Sequence, residues 1–346
     1  MIKELSIKNF KSIKELEIDC RKINLFIGEP SAGKSNILEV LGLLSWCAHG
    51  RGELKDFVRL EYMENLFCDN STDEPVRVKI LIKESSDLPK TDEVSPVEVQ
   101  ITLFRDIFRL VFSVGDSGGS IEISDSGRST ARVGNPGDVF RFTKFYRFEK
   151  RADSQGEESA FLMPPDGSNM FRVVSGSKKL RESVSAFFKD LGFKLMLRTK
   201  TKTFEFLKEI DDVIFNYPYI LTSDTLQRMV FYTVAIESNK NSTLIFEEPE
   251  SHAFPYYTKF LGEKIALDEA NQYFIATHNP YLLLSILEKA PEDDVNVFIA
   301  QFKDYQTKVK CLSDEEVSEL MDYDPFFNLD SFIEDEDTEE DEEELQ

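Results

Sequence analysis

The stretch Gly28-Glu29-Pro30-Ser31-Ala32-Gly33-Lys34-Ser35 constrains this chain more than any other, because a loop of this pattern works only between a buried strand and the first turn of a helix. Its glycines let backbone N–H groups turn inward around phosphates. The lysine reaches β- and γ-phosphate oxygens, and the serine hydroxyl ligates Mg²⁺. The flanks agree: residues 22–27 read as a buried strand, and residues 36–44 have helical spacing. A helix starting near Gly33 also aims the positive end of its dipole at an anion. These features predict an α/β fold, a mixed sheet carrying the loop, and a nucleoside triphosphate held by residues 28–36, including Glu29, Pro30, Ser31, Ala32 and Asn36.

A second segment, Thr243-Leu244-Ile245-Phe246, is a short apolar strand that stops at Glu247, Glu248 and Pro249. In P-loop NTPases the first carboxylate after such a strand helps hold Mg²⁺ through a water, and a neighbouring one can polarise the attacking water. Glu247 takes the metal role here and Glu248 the general-base role. The usual residue at the first position is Asp, so Glu247 adds one methylene to the metal shell. A third strand, residues 272–276, also ends in a polar corner, Thr277-His278-Asn279-Pro280. An imidazole there can hydrogen-bond a phosphate oxygen.

A fourth segment runs from Leu221 to Phe231. Ser223 or Asp224 reads as a helix N-cap, with apolar residues following at helical spacing. Together the four segments resemble ABC-type ATPases. That resemblance makes His278 the switch histidine that senses the γ-phosphate, and Ser223 the signature serine that contacts ATP bound to a second subunit. Asp224 stands where the family usually has Gly. Within the ABC type, the chain is similar to the soluble RecF, SMC and OLD-like branch, and there to standalone AAA-15/AAA-21-type ATPases often found in bacterial anti-phage loci. The residues that carry this are 2–13, 28–41, 223–231, 246–252 and 277–282; the middle third matches poorly. In such relatives the first strand ends beside the nucleotide, so Lys11 and Ser12 either touch phosphate or ribose, or are ordinary edge-strand polarity. No convincing metal-contacting Gln follows the P-loop helix, and Gln100 is the nearest candidate.

Composition narrows the alternatives. No apolar run approaches the ~20 residues needed to span a bilayer, and no charged-then-apolar leader opens the chain, so a cytoplasmic location is expected, with no membrane partner. Cys20, Cys47, Cys68 and Cys311 are too scattered for a zinc site or a disulfide framework. The net charge of −23 opposes direct binding to DNA, which requires Lys and Arg. Ten of the eleven residues from 334 to 344 are acidic, but the remainder is acidic as well. The best basic clusters are Lys178, Lys179 and Arg181, and Arg198, Lys200 and Lys202; solvated faces explain them at least as well as nucleic acid does. Residues 334–346 cannot bury enough apolar surface to offset their ordering entropy, so a disordered acidic tail is expected.

The expected organisation is one ATPase head over residues 1–333. It comprises a P-loop lobe at about 1–70 and 240–330, an antiparallel β insertion at about 71–175, and a helical, signature-bearing lobe at about 176–240. Strands are expected over Val76–Lys83 and residues 97–113, 140–148, 295–301 and 308–312. Turns are expected at residues 115–119 and 125–138, a loop at 155–159, a rigid turn at 162–169, and an amphipathic helix at 180–191. A capping box at Ser313 opens a further helix. No long heptad run lies between Pro136 and Ser223, so this is a head without coiled-coil arms. The resemblance implies an ATP- and Mg²⁺-dependent enzyme whose heads pair as a homodimer around ATP and switch a protein effector such as a nuclease or toxin. Direct DNA repair, a transporter subunit and a small-molecule kinase are the competing readings; the long β insertion, the missing Gln and the altered signature disfavour the transporter.

Overall fold

The computed structural model describes residues 1–50, 53–83, 94–115, 117–150, 159–322 and 329–332. An antiparallel pair, β1 (Ile2–Phe10) and β2 (Ile13–Asp19), is followed by β3 (Ile23–Ile27) and α1 (Lys34–His49). A meander comes next: β4 (Val76–Lys83), β5 (Val94–Phe104), β6 (Ile107–Val114), β7 (Ser117–Ile123) and β8 (Ser129–Val133). Then come α2 (Pro136–Phe140), β9 (Thr143–Tyr146), α3 (Met170–Gly176), α4 (Lys178–Lys189) and the strands β10 (Lys194–Arg198), β11 (Thr203–Ile210) and β12 (Val213–Pro218). The chain continues through α5 (Asp224–Ser238), β13 (Thr243–Glu247), α6 (Pro255–Ala266), β14 (Gln272–Ala276), α7 (Pro280–Leu287), β15 (Val295–Lys303), β16 (Gln306–Cys311) and α8 (Asp314–Asp322).

The sheet that positions the site has the order β16-β15-β3-β14-β13-β9, parallel throughout except for the β15–β16 hairpin. All five residues of β3 and of β14 are buried, as a strand covered on both faces requires. Alternation along β3 sends Phe26 to one core and Ile23, Leu25 and Ile27 to the other. The first core lies under α1 and the antiparallel sheet. The second lies under α4 to α7. Phe26 stacks between Phe298 at 5.0 Å and Phe274 at 6.4 Å, and burying each ring is worth about 2–3 kcal/mol. This stack fixes β15, β3 and β14 side by side, so their carboxyl ends stay in register.

The seven-stranded antiparallel sheet has the order β2-β1-β4-β5-β6-β7-β8. It therefore recruits β1 and β2 from outside the expected insertion. β9, counted with that insertion from its sequence, forms the edge of the parallel sheet instead. The expected 97–113 strand is a hairpin that turns at Arg105 and Asp106, both with positive φ. The expected turns at 115–119 and 125–138 contain most of β7's start and all of β8. The expected strand start at 140 is taken by α2, where Asn135 accepts the Gly137 N–H as N-cap and Pro136 supplies a preset φ. The lobe expected to be helical has helices at both ends and the three-stranded β10-β11-β12 sheet between them. Phe188 from α4 stacks on Phe206 of β11 with ring centroids 3.7 Å apart, so α4 and that sheet share one core. Ser313 forms its capping box with Glu316. No helix among the described residues exceeds the sixteen residues of α1, and none is long and apolar enough to cross a membrane. The acidic tail and most of the expected 155–159 loop lie outside the described residues.

Candidate active site

Three parallel strands deliver the functional residues to one edge of the sheet. β3 ends in the loop that begins at Gly28, β14 ends at Thr277, and β13 ends at Glu247, with Glu247 opposite Ala276 and Ala276 opposite Phe26. The loop is shaped by backbone that L side chains adopt reluctantly: Gly28 has φ 138°, Ser31 66° and Gly33 96°. Two of these positions also exclude a side chain by contact. A Cβ on Gly28 would lie 2.2 Å from the Ala300 carbonyl oxygen, and one on Gly33 would lie 1.9 Å from Thr307 Oγ1.

α1 starts with Gly33 as its N-cap, without a side-chain cap and without an acidic residue in its first turn. A sixteen-residue helix opening in this way leaves its first N–H groups and dipole available to an anion. Lys34 is buried and donates from Nζ to the carbonyls of Gly28 and Glu29, both at 2.7 Å. Burial lowers its ammonium to about 8, against the opposing pull of the Glu248 and Glu29 carboxylates. Lys34 and Glu248 thus share one electrostatic environment, although more than two hundred residues separate them in sequence. Ser35 stands half-buried on the second residue of α1; Glu29, Pro30 and Ser31 are exposed, and Ala32 is buried.

Glu248 follows β13 with φ 43°, a costly conformation for a non-glycine residue. Its N–H bonds the Ala276 carbonyl at 2.9 Å, which ties it to the neighbouring strand. Its carboxylate meets His278 Nε2 at 2.8 Å and accepts from Ser251 Oγ at 3.2 Å. The proposed base and the proposed γ-phosphate sensor are therefore one hydrogen-bonded pair. Glu247 lies between two guanidinium groups: Arg147 at 3.3 Å and Arg59 at 3.6 Å. A carboxylate that holds cations in this way, near the Ser35 hydroxyl's helix, suits a magnesium ion in charge and donor type.

Sequence reasoning missed Arg147, Arg59, Glu39, Glu250 and Thr307. Arg147 follows the last residue of β9, and the register that pairs Tyr146 with Phe246 sets it beside Glu247. Gln100 is not brought there: it lies exposed on β5, in the antiparallel sheet. Glu39, buried on α1, takes both Lys11 and, at 2.5 Å, Arg59 Nε. Glu250 is buried beside the pair and accepts from Thr277 Oγ1. Burial raises its carboxyl to about 7, while bonds from Thr277 and from the backbone pull it back down.

Lys11 and Ser12 are engaged with protein. Besides Glu39, Lys11 Nζ donates to the Arg59 carbonyl at 2.6 Å. Ser12 Oγ accepts from Asn36 Nδ2 at 2.7 Å and meets Thr307 Oγ1 at 2.6 Å. These bonds tie the β1–β2 turn, α1 and β16 together around the phosphate loop. Ser223 is the N-cap of α5, accepting the Leu226 N–H at 3.3 Å, and Asp224 pairs with Lys150 at 2.8 Å. Thr225 Oγ1 bonds the His252 carbonyl at 2.9 Å, so the start of α5 adjoins the loop after Glu248. The basic clusters are partly neutralised: Lys179 faces Glu237, and Arg198 pairs with Glu205 at 2.7 Å.

Residues 1–107 match the family model of the AAA ATPase domain, AAA_15. The whole chain is similar in fold to the Smc head bound to the C-winged helix domain of ScpA, with a TM-score of 0.58 at 15% identity over 91% of this chain and 99% of that one. It is likewise similar to the Pyrococcus furiosus Smc head with an extended coiled coil bound to the C-terminal domain of ScpA, with a TM-score of 0.53 at 14% identity over 93% and 98%. No curated protein matches in sequence. The chain therefore has the fold of an SMC head, and its first 107 residues match the AAA_15 ATPase domain.

Proposed function

We propose that this chain is a Mg²⁺-dependent ATPase whose heads pair around ATP and act as a switch on a protein effector such as a nuclease or toxin, in anti-phage defence. The observation that carries the ATPase reading is the meeting of Lys34, Glu247, Glu248 and His278 at the ends of three adjacent parallel strands. The loop and the α1 N-terminus hold the triphosphate, and Lys34 leaves its two carbonyls to bond the terminal phosphates. Glu248 orients the attacking water and takes its proton, while His278 fixes the carboxylate and donates to the γ-phosphate. Ser35 and Glu247 would hold a Mg²⁺ ion, which would supply positive charge against the charge that develops on the phosphates.

Pairing of heads is supported by the surface around these motifs. Leu221, Phe254, Tyr256 and Tyr281 are large, exposed and apolar, and each lies within a few residues of Ser223, His252 or His278. Such a rim, together with an exposed Ser223, suits a second copy that closes over the nucleotide. ATP bound at the joint favours association, and hydrolysis reverses it. The role in defence and the effector rest on resemblance to standalone ATPases of this branch. The acidic charge favours a protein partner over DNA.

Glu248→Gln tests the mechanism. Turnover should fall at least a hundredfold, while ATP stays bound and light scattering reports a stabilised dimer. Full turnover in that variant refutes the base assignment. A wild-type monomer with and without Mg-ATP refutes the switch, and salt-sensitive stimulation of turnover by DNA would favour the DNA-repair reading instead.

A further inference from the structure

We infer that Arg147 is a positioning residue that occupies the Glu247 carboxylate until a divalent cation displaces it. The inference rests on the proposed metal role of Glu247. Three observations support it. Arg147 Nη2 lies 3.3 Å from Glu247 Oε2, and the strand register places the two residues side by side at the exit of β9 and β13. Its backbone is pinned, with N–H donating to the Pro165 carbonyl at 2.8 Å, and its guanidinium lies 5.2 Å from the Phe145 ring centroid. The side chain is therefore aimed before any cation arrives. Arg59, the other guanidinium near Glu247, is 3.6 Å away and engaged at 2.5 Å with buried Glu39, so it is the less free of the two.

A carboxylate oxygen bonded to a guanidinium must give up that bond to coordinate a metal, so the two cations compete. Arg147 is about a quarter exposed and Glu247 less, which puts the pair between a solvent-screened surface bridge and a buried one. Displacing it therefore weakens metal-dependent binding by roughly three- to tenfold. The competition also protects Glu247: in the absence of metal its charge stays compensated, so the exit of β13 keeps its geometry.

The test is calorimetric titration of the non-hydrolysable analogue adenylyl imidodiphosphate into wild type, Arg147→Gln and Arg147→Lys, once in EDTA and once in excess Mg²⁺. The readout is the ratio of the two affinities, which does not depend on turnover. For Arg147→Gln that ratio should rise about three- to tenfold, from tighter binding in Mg²⁺ with EDTA affinity unchanged. Arg147→Lys, which keeps a cation, should stay near wild type. A ratio in Arg147→Gln equal to or below that of wild type overturns the inference, and a lowered Tm with an unchanged ratio assigns Arg147 a purely structural role. Wild type that shows no Mg²⁺ enhancement at all refutes the metal role of Glu247 itself, which separates the two failures.

Discussion

Glu250→Gln gives the sharpest test of how the catalytic corner is built. The carboxyl is buried beside Thr277, one of its oxygens has no hydrogen-bond partner, and burial raises it from an ordinary 4.5 to about 7. The folded protein therefore keeps a proton that the unfolded chain releases above about pH 4.5. Stability tied to this group is fully present below that pH and is lost as pH rises to about 7. At ~1.4 kcal/mol per pH unit, the full loss is about 3 kcal/mol, of which about 2 kcal/mol falls between about pH 5.5 and pH 8. Glutamine is neutral throughout. It still accepts from Thr277, but places an amide where the unpartnered oxygen stood, at a cost that does not vary with pH. Urea unfolding of wild type and variant at those two pH values should show the variant gaining about 2 kcal/mol relative to wild type at the higher one. An equal difference at both pH values refutes the buried-acid reasoning. The corner itself should respond, because Thr277 also accepts the Asn279 N–H at 3.0 Å and so frames His278.

Lys34 carries a pH dependence in nucleotide binding rather than in stability. Its ammonium is lowered to about 8, so above that pH a free site must take up a proton to bind phosphate. Nucleotide affinity should fall up to tenfold per pH unit from about 8 upward; calorimetry in buffers of different ionisation enthalpy checks the proton uptake, and its absence at about pH 9 refutes it. Gly28→Ala should lower stability by about 3 kcal/mol or more, since a methyl 2.2 Å from the Ala300 carbonyl adds overpacking to a φ of 138°. Gly115→Ala, which also has positive φ but nothing within 4 Å, should cost only about 1 kcal/mol in the same thermal melts.

The sheet edge was legible because its chemistry is local. The glycine spacing, the Glu-Glu stop after an apolar run and the Thr-His-Asn-Pro corner each announce a strand end, and parallel strands put such ends together. What could not be read were the partners that arrive through pairing. Arg147 looks like any polar residue after a strand until β9 is known to border β13. Glu39 looks like the exposed face of a helix until Lys11 and Arg59 are seen to close over it. Residues 194–218 were missed as strands for a different reason: β12 has six exposed residues and β10 three half-buried ones, so neither gives a clear two-residue alternation. Ser12 and Asn36 are expected at the nucleotide from their place in the sequence, but only the structure shows the Ser12 hydroxyl bonded both to the Asn36 amide and to Thr307 Oγ1.

The β3–β14 pairing joins residues about 250 positions apart, and Gly33 packs against Thr307 from near the end of the described chain. During synthesis the phosphate loop is made early but has no neighbours on either side until β14 and β15 emerge. At ~5–20 residues per second, that wait lasts tens of seconds, with a strand that is apolar at four of its five positions uncovered. The amino-terminal antiparallel sheet can condense on its own in that interval, and the nucleotide half must then assemble around it as a late, non-local step. A nascent chain arrested before residue 272 should therefore depend on a chaperone in a way that the finished protein does not.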